Sequence, residues 1–290
     1  MHKTFTMYEK KVGKKVQPLT KYLSKWVTNN VDHSPTEIEF VTSGDLVQVW
    51  SYERSKPIYE LQWNVDSILK VKYNPSEHNI LLGSCSDRSL ILYDLRAETP
   101  IQKITLPNKS MCMAFNPLEP INFTIGNDDS NCYSFDLRRM DKAKTIHKDH
   151  IGAVTDLDFS PTGREFTTGS FDRTVRIFKH DEGRSREVYH TRRMQIISSV
   201  SYTMDGNYVL SGSEDMNIRI WKNIAHKPTG VINQRESRAI EYREKLVEKY
   251  VHTNKIRRIH NHRHLPKYIM NAKKRRQDQA ESKFNKRVNK

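Results

Sequence analysis

Apolar and polar residues alternate in short runs along most of the chain, as in Thr174-Val175-Arg176-Ile177-Phe178 and Asn217-Ile218-Arg219-Ile220-Trp221. A period of two sends alternate side chains to opposite faces of a strand. Turns separate the runs, and the layout recurs. Asp215 precedes Trp221, Asp172 precedes Phe178, Asp129 precedes Phe135 and Asp87 precedes Tyr93, each by six residues. In a further copy Gly44 stands six before Trp50, with Asp45 beside it. The aromatics fall at 50, 93, 135, 178 and 221, in steps of 43, 42, 43 and 43.

A period in this range, with short strands and a turn aspartate, predicts an all-β fold: a WD-repeat β-propeller with blades of about four strands. One small sheet cannot bury its faces alone, so neighbours must stack. Asp87, Asp129, Asp172 and Asp215 then serve as structural turn residues, accepting hydrogen bonds that the turning backbone would otherwise leave unmade. Five blades are recognisable, within 18–60, 68–94, 111–136, 149–178 and 194–221. In the fourth, His150 is expected to bond an aspartate or a hydroxyl of its own blade. Counting back from Trp50 lands on Tyr8, so His2–Tyr8 reads as a half-blade. The chain is therefore expected to be N-terminally shortened.

After Pro228-Thr229-Gly230 the period changes. Residues 234–250 hold no Gly or Pro, and Ala239, Tyr242, Leu246 and Tyr250 recur at helical spacing, with Ile240 and Val247 widening the stripe. This predicts a helix of about four turns docked by its apolar face. Pro266 interrupts the basic stretch 255–277, and a second, highly charged helix is expected from Lys267. The organisation read here is a half-blade and basic segment at 1–17, a propeller at 18–233 and a basic helical domain at 234–290.

Charge sharpens that division. The net charge is +15. Residues 234–290 carry 18 Lys/Arg against 6 Asp/Glu, residues 1–17 carry 5 against 1, and the rest 26 against 27. A basic segment on a nearly neutral scaffold points to a polyanion, and to nucleic acid over lipid, because its apolar residues form no long membrane-facing stripe. No apolar run reaches the roughly 18 residues of a membrane span. Residues 1–20 lack the apolar core of a signal peptide. Cys85, Cys112 and Cys132 have neither metal-site nor disulfide-framework spacing and read as small buried hydrophobes. That suits a reducing compartment.

Phosphate-binding glycine loops, GxSxG and HExxH are absent from the sequence, and no carboxylates form a recognisable pair. No enzyme activity, cofactor or small-molecule substrate is expected. His260 and His264 would share a face on a helix, near His262 and His252, but the interleaved Arg257, Arg258 and Arg263 disfavour a cation, so no metal is expected. Arg257, Arg258, His262, Arg263, His264 and Lys267 cluster around Leu265-Pro266 and Tyr268, a composition suited to phosphate contact with an aromatic beside it. Lys273-Lys274-Arg275-Arg276 fits the same role or a nuclear import signal.

Four segments, SPTGREFTTGSFDRTVRIF (160–178), GRSREVYHTRRMQ (183–195), SEDMNIRIWK (213–222) and above all IRRIHNHRHLPKYI (256–269), resemble the Sof family of WD-repeat proteins. The likeness covers nearly the whole chain, and its most specific part is HRHLPK. It implies a seven-bladed propeller, incomplete here at its front, with a dedicated basic C-terminal domain. It further implies a non-catalytic nucleolar scaffold of the small-subunit processome, needed for maturation of small-subunit rRNA. The partners implied are pre-ribosomal RNA, a small nucleolar ribonucleoprotein and other processome proteins. Arg257, Arg258, His262, Arg263, His264, Leu265, Pro266 and Lys267 match the family's C-terminal motif.

A different reading attaches to Tyr93-Asp94-Leu95-Arg96 and Phe135-Asp136-Leu137-Arg138. These resemble the WDxR boxes of substrate receptors for cullin-RING ubiquitin ligases. On that reading Asp94, Arg96, Asp136 and Arg138 dock a ligase adaptor.

Overall fold

The computed structural model describes residues 3–9, 17–62, 66–97, 99–228, 230–260 and 264–288, with side chains described within 21–258, for His260 and within 264–285. Strands β1 (Lys3–Glu9) and β2 (Gln17–Ser24) form an antiparallel pair. Then come β3 (Asn30–His33), β4 (Glu39–Ser43), β5 (Val47–Ser51) and β6 (Tyr59–Leu61), hydrogen-bonded in that order into one sheet. The same meander recurs in β7 (Ile68–Tyr73), β8 (Ile80–Cys85), β9 (Ser89–Asp94) and β10 (Gln102–Thr105). It recurs again in β11 (Ser110–Phe115), β12 (Asn122–Asn127), β13 (Asn131–Asp136) and β14 (Thr145–Lys148). The next sheet holds β15 (Val154–Phe159), β16 (Glu165–Ser170), β17 (Val175–Lys179) and β18 (Ser185–Tyr189). The last has three strands among the described residues, β19 (Ile197–Tyr202), β20 (Tyr208–Ser213) and β21 (Ile218–Lys222). These are WD-propeller blades.

Register explains the aromatic ladder. In four sheets the repeat aromatic sits across from an apolar residue of the second strand: Phe40 faces Trp50, Leu81 faces Tyr93, Phe166 faces Phe178 and Val209 faces Trp221. Phe166 and Phe178 stack at 5.4 Å, and neither is exposed at all. Burying one such ring is worth about 1.5–3 kcal/mol.

The second and third strands meet at a hairpin with one construction. Asp87, Asp129, Asp172 and Asp215 each turn Oδ1 back to accept the N–H two residues on, from Ser89, Asn131, Thr174 and Asn217 at 3.0, 2.9, 3.0 and 3.3 Å. The residue between is left-handed in all four: Arg88 (φ 69°), Ser130 (71°), Arg173 (62°) and Met216 (60°). The four aspartates thus occupy one hairpin each.

Two compact units divide the chain, 1–128 with 133–144 and 129–132 with 145–290. Each has its own buried core. In the first, Val41, Val49, Ile68, Val71, Leu81 and Tyr93 pack together. There Asp32 on β3 accepts from Lys72 Nζ at 2.7 Å and from Tyr73 N at 2.9 Å on β7. In the second, Val175, Ile177, Tyr189, Ile197, Val200 and Val209 join the last two sheets. There Asp156 and Asp158 on β15 accept from the main-chain N–H of Val200 (3.0 Å) and Tyr202 (2.7 Å) on β19. First-strand carboxylates so bind one blade to the next. On β21, Ile218 and Ile220 remain 78% and 68% exposed, and no strand pairs beyond β21 among the described residues.

Helix α1 runs Gln234–Tyr250, the span predicted, with Glu236 accepting from the N–H of Asn233 ahead of it. The expected docking of its apolar face does not occur. None of its residues is buried, and Tyr242 is 65% exposed. A stripe that is half Tyr and Ala and dense in charge carries little drive to bury itself. Helices α2 (Asn254–His260) and α3 (Lys267–Val288) come next. No described helix is long and apolar enough to cross a membrane. Cys85, Cys112 and Cys132 are buried, as the sequence predicted. Burial pushes the Cys85 thiol up to about 11.

Candidate nucleic-acid interface

Helix α3 begins just after Pro266, whose carbonyl accepts from the N–H groups of Ile269 and Met270, both at 3.1 Å. The proline lacks an N–H, so the helix starts where that loss costs nothing. Ile269, Lys273 and Arg276 succeed one another at spacings of four and three, which puts them on one face. Ile269 is 1% exposed. Lys273 Nζ lies 3.7 Å from Asp149 Oδ1, and Arg276 Nη1 donates to Ser130 Oγ at 3.0 Å. The Tyr268 hydroxyl donates to the main-chain carbonyl of Asp172 at 2.7 Å. Burial raises the Tyr268 phenol above its ordinary pKa; the Asp172 carboxylate raises it further, and Arg173 and Arg176 act the other way. The start of α3 is thus fastened to hairpin tips of the second unit.

Beneath it lies a buried charged network in the blade of β15–β18. His150 Nδ1 is 2.9 Å from Asp172 Oδ2, and its Nε2 is 2.7 Å from Thr168 Oγ1, the pairing the sequence predicted. In the blades that end in tryptophan the corresponding hydroxyls accept from the indole instead, Trp50 to Thr42 at 3.0 Å and Trp221 to Ser211 at 2.8 Å. The Phe178 ring carries no N–H, and His150 is there to engage Thr168. Burial pulls the His150 pKa down, although Asp172 opposes it. Burial would raise Asp172, but His150, Arg176 and Thr174 outweigh it and hold the carboxyl below the usual range. Arg176 lies 3.7 Å from Asp149 and 3.9 Å from Asp172, and Asp149 also accepts from Ser185 N (2.9 Å) and Oγ (2.6 Å).

The basic residues therefore divide. All five of Lys267, Lys273, Lys274, Arg275 and Arg276 are exposed, but Lys273 and Arg276 also make contacts to the blades. Arg257 and Arg258 are exposed in the last turn of α2. His262 and Arg263 lie outside the described residues. The expected sharing of a helix face by His260 and His264 does not hold. Helix α2 ends at His260, and His264 lies outside any helix. His260 packs tilted against His226 at 4.9 Å, while His264 packs at 5.8 Å against His190 and its main-chain carbonyl accepts from His190 Nε2 at 3.0 Å. Among the described residues no group of three or more His, Cys, Asp or Glu is placed to hold a metal.

Three cations here escaped notice in the sequence. Arg173 is exposed at the hairpin tip beside Tyr268, and Arg192 and Arg193 are exposed just after His190. Their blade is nearly neutral in sum, so only proximity to the C-terminal segment marks them.

At the ends of β9 and β13, Asp94 and Asp136 accept the main-chain N–H of Arg96 and Arg138, each at 2.9 Å. Both carboxylates are half-buried and both arginines exposed. Asp94 and Asp136 thus close matching turns in the first unit, and Arg96 Nε also lies 3.9 Å from Asp94 Oδ1.

Antiparallel four-stranded sheets, repeated with an aspartate in the second hairpin turn, define a WD-repeat β-propeller protein, here extended by C-terminal helices. Residues 142–179 and 186–222 match the WD domain, G-beta repeat, and residues 224–290 match the Sof1-like domain. The chain is 42% identical over 277 residues to DDB1- and CUL4-associated factor 13 of Danio rerio, covering 96% of this chain and 62% of that protein. To the Homo sapiens protein of the same name it is 44% identical over 278 residues, covering 96% and 62%. To Protein SOF1 of Saccharomyces cerevisiae it is 40% identical over 242 residues, covering 83% and 50%. The chain spans less than two thirds of the length of each of these relatives. It is homologous to them and matches the Sof family of WD-repeat proteins.

Proposed function

We propose that this chain is a non-catalytic scaffold in small-subunit ribosome assembly, a nucleolar processome component whose blades (18–233) dock proteins while its basic domain (234–290) contacts pre-ribosomal RNA within a small nucleolar ribonucleoprotein. The observation that carries this is the division of the basic residues. Lys273 and Arg276 fasten α3 to the blades, and Lys267, Lys274 and Arg275 stay in solvent with Arg257 and Arg258 on α2. A cationic helix fixed to a rigid support presents phosphate-binding groups at little cost in order. His262 and Arg263 are proposed to contact the same RNA. Crosslinking in nuclear extract tests it. Contact with precursor rRNA, lost when Arg257, Arg258, Arg263 and Lys267 are changed to Ala, supports the reading. Undiminished crosslinking in that variant sinks it.

A second reading, substrate receptor of a cullin-RING ligase, is favoured by the exposed Arg96 and Arg138 and by the relatives whose names link them to DDB1 and CUL4. Capture of a cullin adaptor by the intact chain, abolished by R96A/R138A, supports it. Capture that ignores both changes removes these residues from the contact.

A further inference from the structure

We infer that the blade of β15–β18 and the loop after it build half of the polyanion site: Arg173, Arg192 and Arg193 join Lys267 and Tyr268 in one track for single-stranded RNA. The inference rests on the proposed RNA contact and names blade residues for it.

Two fixed points bring the parts together. The Tyr268–Asp172 bond of 2.7 Å sets the half-exposed phenol ring against a hairpin tip whose next residue is Arg173. The left-handed backbone there (φ 62°) leaves the Arg173 side chain in solvent. The His190–His264 bond of 3.0 Å sets the start of the loop Thr191-Arg192-Arg193 against the segment entering α3. Thr191, Arg192 and Arg193 are all exposed. Between the two points the C-terminal segment spans only 264–268, and Lys267 within it is exposed. Four cationic side chains and one aromatic ring thus come from three segments at one place. Beneath the Tyr268 contact, Asp149 and Asp172 are buried and already matched by Arg176, Lys273 and His150, so they do little to cancel this charge outward.

The chemistry favours RNA over an acidic protein. Guanidinium groups match phosphate oxygens, and a ring beside them offers a face on which an unpaired base stacks. Tyr268 is anchored by its hydroxyl, so its ring is held before any base arrives.

The test uses the full chain and a fluorescent single-stranded oligouridylate, with affinity measured across a salt series. One variant carries Arg173→Asn, Arg192→Gln and Arg193→Gln; asparagine tolerates the left-handed turn. A second carries Arg257→Gln, Arg258→Gln, Lys274→Gln and Arg275→Gln. Each phosphate contact on a single strand contributes about 0.7 to the slope of log affinity against log salt. The blade variant should therefore bind more weakly with a slope shallower by about 2. A blade variant identical to the unaltered chain, beside a weakened tail variant, overturns this inference and leaves the RNA contact standing. Absence of binding by the unaltered chain, or indifference of both variants, overturns the two together. Polyglutamate bound as tightly as the oligonucleotide, with the same arginine dependence, assigns the track to an acidic protein instead and overturns the RNA assignment.

Discussion

The hydroxyl of Tyr268 and the main-chain carbonyl of Asp172 meet at 2.7 Å although 96 residues separate them in the chain. The bond joins the basic segment to the hairpin that defines a blade. Tyr268→Phe removes it and leaves the ring, at a cost of about 1 kcal/mol. Amides in the first turns of α3 should then exchange with deuterium about fivefold faster, while those of β16 and β17 stay unchanged. Equal exchange rates in α3 would show that the helix is held without this contact.

Two buried histidines predict a loss of stability in mild acid. His147 is held down to about 4 by burial, with its Nδ1 2.7 Å from the Glu182 carbonyl, and His150 is lowered by burial as well. In the unfolded chain both take up a proton near the ordinary 6.5, which the native state refuses. Stability therefore falls as pH drops below about 6.5, and for His147 the loss ends near pH 4. Asp172 acts in a separate window. Its lowered pKa gives stability that is present above 3.8 and is lost only as pH falls further. Urea midpoints measured between neutrality and mild acid should decline. In His147→Phe the neutral-pH midpoint should be lower but the decline shallower.

The four left-handed hairpin residues differ in how well their side chains suit that backbone. Met216 is the least suited, at φ 60° and 97% exposed, and it gains nothing from packing. A left-handed backbone costs an L-residue roughly 1–2 kcal/mol. Met216→Gly should raise the melting temperature and Met216→Val should lower it, with the Asp215 turn bond kept in both. The opposite order would mean that the turn is not held in this conformation.

Gly169 on β16 faces the neighbouring sheet so closely that an added Cβ would stand 2.6 Å from Ile197 Cγ2 and 2.7 Å from Val200 Cγ2. Both are buried and have no room to retreat. Gly169→Ala should destabilise the chain by about 1–3 kcal/mol, read as a lower urea midpoint. A smaller Gly169→Ala penalty in an Ile197→Ala background, where Cγ2 is gone, would locate the clash between these two sheets.

Local features were legible before any coordinates. An aspartate that accepts from the N–H two residues on needs nothing beyond its own hairpin, so six-residue spacing to an aromatic exposed Asp87, Asp129, Asp172 and Asp215 as turn residues. Helix α1 was bounded correctly by its own Gly-free and Pro-free run. Contacts across long separations were hidden. Nothing near Lys273 or Arg276 in sequence distinguishes them from Lys274 and Arg275, and the difference arises only where Asp149 and Ser130 happen to lie. The histidines of 260–264 invited a shared helix face, but the helix stops at His260. Arg173, Arg192 and Arg193 were concealed in a blade region whose charges sum almost to nothing.

The uncovered isoleucines of β21 have a practical meaning for anyone handling this chain. Ile218 and Ile220 sit side by side on a strand without a lateral companion among the described residues. Concentrated solutions will behave as a colloid with one adhesive spot, and clouding should start there. A lysine at 218 is the economical remedy, because it repels like molecules while leaving Trp221 and the interior side of the strand untouched.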